Sequence, residues 1–195
     1  RNAKIKSASM ATTPSNMLPL GTIAPEFSLK DTVSEKTLDL HALQGEKGTV
    51  VMFICNHCPF VKHVNPEISK MARDYQGRGI AFIAISSNDV ENYPEDAPHL
   101  MKETAKREGY SFPYLYDKTQ EVARAYQAAC TPDFYLFDGS LRLVYRGQLD
   151  DSRPGNGLPV NGADLRNALE SLLEGTPIAP EQKPSIGCNI KWFKG

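Results

Sequence analysis

The sequence predicts an α/β fold in which a central mixed β-sheet is flanked by helices, with an N-terminal strand extension and a C-terminal tail. Three observations carry that prediction. Two unbroken apolar runs, Thr49–Ile54 and Ile80–Ile85, bracket a segment whose apolar residues Val61, Val64, Ile68, Met71, Ala72 and Tyr75 recur every three or four positions. That is a buried strand, an amphipathic helix and a second buried strand, the order of a right-handed parallel crossover. Two later runs, Phe134–Phe137 and Leu141–Tyr145, flank Asp138-Gly139-Ser140 and read as an antiparallel hairpin. Finally, Leu165, Ala168, Leu169, Leu172 and Leu173 lie at helical spacing and stop at Gly175.

The elements follow in chain order. Residues 1–19 are rich in Ser, Thr, Asn and Pro without periodicity and are expected to be a flexible lead-in, with structure beginning near Leu20. Phe27-Ser28-Leu29 and Thr37-Leu38-Asp39-Leu40 alternate between turn residues and predict minor strands. After the strand at Ile80–Ile85, a polar loop spans Asn88–Pro98 and a helix runs to Arg107, with Gly109 as its stop. A short strand is expected at Tyr114–Tyr116 and a helix over Thr119–Ala128. The chain thus divides into a lead-in (1–19), one α/β domain (20–175) and an extended tail (176–195) that contains Cys188 and the single tryptophan, Trp192. An aromatic side chain in a polar tail predicts that the tail docks on the domain.

Charge narrows the function classes. The 22 basic and 23 acidic residues are spread along the chain and leave a net charge of -1, which gives no electrostatic footprint for nucleic acid or an anionic membrane. No apolar run reaches the ~18–20 residues of a membrane-spanning helix. Arg1–Met10 is basic and polar and has no apolar secretory segment, so a cytoplasmic protein is expected. Four cysteines in 195 residues are too few for a secreted disulfide scaffold, and only Cys55 and Cys58 are close neighbours.

The chemistry of the sequence concentrates at Cys55-Asn56-His57-Cys58-Pro59. Cys55 stands where the first buried strand ends, and Cys58 where the helix begins, with Pro59 suited to the first helical turn. Unpaired N–H groups and the positive end of the helix dipole favour an anion there, so a cysteine pKa falls from ~8.5 into the range of roughly 3.5 to 7.5. The spacing lets the two sulfurs meet, so an attacking Cys55 is resolved by Cys58. An imidazole at His57 stabilises the attacking thiolate by charge or by a hydrogen bond.

The run from Val50 through Cys55-Asn56-His57-Cys58-Pro59, with Thr131-Pro132 before the hairpin, resembles the thioredoxin-like superfamily. Within it, the chain is most similar to the peroxiredoxin-like (redoxin) branch, of the alkyl hydroperoxide reductase/thiol-specific antioxidant type. Ala24-Pro25-Glu26-Phe27-Ser28-Leu29 looks like the opening of redoxin domains, and Ser185–Trp192 like a signature of a peroxiredoxin-like subgroup. The resemblance implies a thioredoxin-like fold from about Leu20 to Gly175, and a cis bond before Pro132 lying against the dithiol. It also implies that the Thr131 backbone is free to pair with an incoming disulfide substrate as an added strand. True peroxiredoxins carry a P-x-x-x-T-x-x-C arrangement. Aligned on Cys58, this chain has Cys55 where the Thr belongs, which favours disulfide exchange over peroxide reduction.

The reading is therefore a thiol-disulfide oxidoreductase with Cys55 and Cys58 as catalytic residues, and His57, Thr131 and Pro132 as redox-modulating or substrate-contacting residues. Expected partners are protein or small-molecule thiols and disulfides, together with a reducing system of the thioredoxin or glutathione kind, and no cofactor. An antioxidant thiol peroxidase is the alternative enzyme, with peroxides as substrates. A metal-binding or metal-delivery module using Cys55, Cys58 and His57 or His63 is the alternative of another class. Cys130 reads as a small buried residue or a relay thiol, and Cys188 as an exposed tail cysteine or a resolving one. His63, one turn into the helix, and the loop Asp150-Asp151-Ser152-Arg153 read as solvated.

Overall fold

A computed structural model describes residues 12–195. Its main sheet has seven strands: β2 (Ser28–Asp31), β3 (Thr37–Asp39), β4 (Gly48–Phe53), β5 (Ile80–Ser86), β6 (Tyr114–Tyr116), β8 (Asp133–Asp138) and β9 (Leu143–Gly147). Their order across the sheet is β3-β2-β6-β5-β4-β8-β9. β4 and β5 are parallel, as are β5 and β6, whereas β8 is antiparallel to both β4 and β9. This is the mixed sheet that the apolar runs predict. The central strand β4 is buried along its whole length because both of its faces are covered.

Alternation along the strands separates two apolar layers. Val50, Met52, Ile54, Phe134 and Leu136 pack with α2 (Pro59–Gln76), α3 (Pro98–Glu108) and α5 (Ala163–Glu174) on one side. Val51, Phe53, Tyr135 and Phe137 pack with α1 (Leu40–Leu43) and α4 (Glu121–Ala125) on the other. Full burial of each such side chain stabilises the fold by about 1.5–3 kcal/mol. α4 is shorter than the span 119–128 predicted from its pattern, because Gln120 and Gln127 take left-handed backbone conformations on either side of it.

The two chain ends differ most from expectation. Among the described residues a strand, β1 (Thr12–Pro14), already lies ahead of Leu20, near which the sequence predicts structure to begin, and the part of the lead-in before it lies outside the described residues. β10 (Ile186–Asn189), in the predicted tail, pairs antiparallel with β1 on one side and with β7 (Cys130–Thr131) on the other, making a second sheet of order β1-β10-β7. Two glycines permit this close approach. A Cβ on Gly147, at φ +126, would lie 2.0 Å from the Lys183 carbonyl oxygen, and one on Gly187 would lie 2.0 Å from that of Thr131. The tail docks as Trp192 predicts: the Arg124 guanidinium stands 4.7 Å from the indole centre, and the Lys191 N–H donates to Asn88 Oδ1 at 2.9 Å.

Candidate active site

The end of β4 and the start of α2 set the two cysteines. Cys58 is the N-cap of α2 with Pro59 behind it, and the Val61 and Lys62 N–H groups both donate to its carbonyl at 3.0 Å. The Thr131–Pro132 bond is cis, as the resemblance implies. Thr131 Oγ1 lies 3.7 Å from Cys55 Sγ, and the Thr131 carbonyl oxygen lies 3.4 Å from Cys58 Sγ. The sequence-predicted Cys55, Cys58, Thr131 and Pro132 are thus brought together.

Cys188 joins them. Its Sγ stands 2.9 Å from Cys58 Sγ, well beyond the ~2.05 Å of a disulfide bond, and all four cysteines are free and buried. It is therefore not an exposed tail cysteine. Cys130 takes the other reading, a small buried residue, with its sulfur directed at the Pro132 and Ser185 carbonyl oxygens at 3.7 and 4.0 Å.

The electrostatics of this cluster favour the thiolate at Cys58. Hydrogen bonds from the Cys188 thiol and then from the Cys55 thiol hold Cys58 far below the ordinary cysteine range, against the penalty of burial. The same bonds, followed by burial, push Cys55 and Cys188 up. When the Cys58 sulfur carries a proton, the Thr131 carbonyl is placed to accept it. Cys55, to which the sequence assigns the first attack, is 1% exposed and lies among Thr131, Cys58 and the Asp96 carboxylate. A buried thiol near a carboxylate resists ionisation.

Asp96 is the residue that the sequence reading missed. It is wholly buried in a short helical turn at Pro94–Asp96, within a polar loop that composition marks as solvated. Its Oδ1 accepts the Asn56 and His57 N–H groups at 2.9 and 3.3 Å, fixing the turn between the cysteines. Its Oδ2 accepts from the Asn88 side chain at 2.9 Å and lies 2.6 Å from His57 Nδ1. His57 therefore faces a carboxylate as well as the dithiol; hydrogen bonding to Asp96 raises its pKa above the ordinary value, and its ring stacks on Tyr93. No pattern in the local sequence separates a buried loop carboxylate from a solvated one.

Cys55, His57 and Asp96 offer donor atoms within 4.8 Å of one another, so among the described residues the set that could hold a metal contains Asp96 in place of Cys58 or His63. The Asp96 oxygens already serve three N–H donors and the His57 ring, which leaves little free capacity for an ion. His63 is engaged elsewhere, with Nε2 2.7 Å from Ser152 Oγ. Asp150 is buried rather than solvated and accepts N–H bonds from Ser152, Asn161 and Gly162, which organise its own loop. Among the described residues no helix is long and apolar enough to cross a membrane.

Comparison with known proteins places this geometry in a family context. The model of the AhpC/TSA family matches residues 20–146. The chain is similar to a crystal structure described as an uncharacterized conserved protein from Geobacillus kaustophilus, with 57% identity over 95% of this chain and 98% of that one, at a TM-score of 0.94. A crystal structure of a hypothetical protein from Sinorhizobium meliloti 1021 is 48% identical over 94% of this chain and 100% of that one, at a TM-score of 0.91. Among curated proteins, the thiol-disulfide oxidoreductase ResA of Oceanobacillus iheyensis is 25% identical over 135 residues, which are 67% of this chain and 66% of that protein.

Proposed function

The chain belongs to the AhpC/TSA family, and from that premise we propose that it is a thiol-disulfide oxidoreductase whose redox-active pair is Cys55 and Cys58. The observation that carries the reading is the Cys58 sulfur at the N-terminus of α2, 2.9 Å from Cys188 Sγ and 3.4 Å from the Thr131 carbonyl oxygen of the cis-proline turn. A thiolate is the nucleophile of disulfide exchange, and the helix dipole and the donated thiol protons both stabilise one there. The Cys58 thiolate attacks a substrate disulfide RS–SR, forms a Cys58–SR bond and releases RS⁻. Cys55 then loses its proton to the leaving thiolate, attacks the Cys58 sulfur and expels the second RS⁻, leaving a Cys55–Cys58 disulfide. Two thiols are oxidised and one substrate disulfide is reduced. A reducing partner of the thioredoxin or glutathione kind reverses the change on the protein.

Reduction of oxidised glutathione by wild type, Cys55→Ser and Cys58→Ser tests this. Cys58→Ser falls to background, and Cys55→Ser forms the mixed disulfide but turns over more slowly. Both variants matching wild type would overturn the reading. One observation favours a second reading, a thiol peroxidase: Cys55 and Cys58 are 1% and 0% exposed, an enclosure that suits a small oxidant better than a protein disulfide. In that case the Cys58 thiolate attacks the peroxide and becomes a sulfenic acid, which a second thiol resolves with loss of water. Peroxide consumption with a reducing partner present separates the two.

A further inference from the structure

The resemblance implies a Thr131 edge open to a substrate strand, and in this structure that edge is occupied. β10 is hydrogen-bonded to β7 with Cys188 opposite Thr131 and Asn189 opposite Cys130. The reason is local. Gly187 has no side chain to strike the Thr131 carbonyl or Pro132 Cδ, which a Cβ would meet at 2.0 and 3.3 Å, so the chain's own tail can lie flat against the cis-proline turn. Both flanks of the strand are pinned: the Ser185 hydroxyl donates to the Pro132 carbonyl, and the Ile190 N–H donates to that of Ala129 at 3.1 Å. The pleat then decides where the thiol goes. Residues opposite one another in an antiparallel pair share a face, so Cys188 follows Thr131 toward the dithiol and reaches Cys58 Sγ at 2.9 Å.

We propose that Cys188 is a third catalytic cysteine, which β10 holds in the place of a substrate strand so that it forms an internal disulfide with Cys58. The inference rests on the reading that Cys58 is exchange-active. After Cys58 attacks RS–SR, the Cys188 thiol gives its proton to a departing RS⁻ and its sulfur attacks the Cys58 sulfur. The Cys58–SR bond breaks, the second RS⁻ leaves and a Cys58–Cys188 bond forms. Cys55 can then attack the same Cys58 sulfur, forming Cys55–Cys58 and restoring Cys188 as a thiol with no net redox change. Closing the bond needs the sulfurs to approach from 2.9 Å to ~2.05 Å. Cys58 is thereby the common atom of two disulfides, one within its own turn and one to the tail.

The test is disulfide mapping of the full chain oxidised with diamide, quenched in acid, alkylated and digested, for wild type, Cys55→Ser and Cys188→Ser. A peptide linking Cys58 to Cys188 is expected in wild type and becomes the main product in Cys55→Ser. It is lost in Cys188→Ser, where Cys55–Cys58 replaces it. The Cys55→Ser arm leaves β10 untouched, so the result does not depend on how the tail tolerates a changed residue. If Cys188 stays free or joins Cys130 while Cys55–Cys58 forms, this inference is overturned and the exchange reading stands. If Cys58 enters no disulfide at all, both fall.

Discussion

The two faces of the small sheet β1-β10-β7 carry the same chemical material and use it in opposite ways. On one face Thr131 and Cys188 meet Cys55 and Cys58, and the neighbouring thiols lower the pKa of the Cys58 sulfur. On the other, Cys130 and Asp133 meet Ser15, Ser185 and Tyr135, and each ionisable group is pushed by burial toward its neutral form. Burial is nearly complete on both, so burial alone does not decide reactivity. What differs is the supply of donors to an anion: a helix N-terminus and two thiols serve Cys58, whereas Cys130 sees chiefly carbonyl oxygens and a nearby carboxylate.

The largest expected break in this comparison comes from Gly187→Ala. The added methyl would press on the Thr131 backbone oxygen, which has no flexible side chain to yield, so β10 must shift away from β7. A loss of about 1–3 kcal/mol in denaturant unfolding is expected, the usual cost of overpacking. Cys58 should at the same time become more accessible, read as faster alkylation by iodoacetamide in the folded protein. Unchanged stability together with unchanged alkylation would mean that β10 does not seal the dithiol face.

How much of this was legible beforehand depends on which force each element relies on. The runs at Thr49–Ile54 and Ile80–Ile85 and the helix between them announce themselves because burial imposes period and composition. The dithiol was legible for the same reason, standing at a junction that those patterns locate. β1 and β10 were not: Thr12-Thr13-Pro14 is too short to show a period and ends in a proline, Ile186-Gly187-Cys188-Asn189 carries a glycine and an asparagine, and the two are held by backbone pairing across more than 170 positions. Cys188 could be named as a resolving thiol from the sequence, but its distance from Cys58 depends on a register that only the fold supplies. Asp96 was invisible because its three partners, Asn56, His57 and Asn88, come from two other stretches of chain.

A pH experiment sharpens the contrast between the faces at smaller scale. Burial raises the Asp133 carboxyl from its ordinary value of 3.8 to about 7, against hydrogen bonds from Ser15 and Tyr135. The folded protein therefore binds a proton that the unfolded chain has lost across that window, and stability falls as pH rises from about 4 toward 7. His57 has the same sign: its pKa is raised by Asp96, so its contribution is complete below the ordinary histidine value of 6.5 and is lost as pH rises through the folded value. Asp133→Asn should remove the Asp133 part of the slope and leave the His57 part, read from denaturant midpoints across that range. An unchanged slope below pH 6 would show that Asp133 ionises normally.

The smallest effect should come from Cys130→Ala, and the comparison is sharpest there. Cys130 and Cys188 belong to neighbouring strands and lie one position apart in register, yet the pleat sends their side chains to opposite faces. Removing the Cys130 sulfur deletes a buried, neutral group whose thiol is pushed up by burial and by Asp133. The expected cost is about 1 kcal/mol or less, that of a small cavity, with the ultraviolet titration of the Cys58 thiolate unmoved. Cys188→Ala removes a group of the same size but also a hydrogen bond to the Cys58 sulfur, so the same titration should move to higher pH. Equal titrations in the two variants would mean that the stabilisation of the thiolate comes from the helix and Cys55 alone, and that the face on which a cysteine lies does not matter to it.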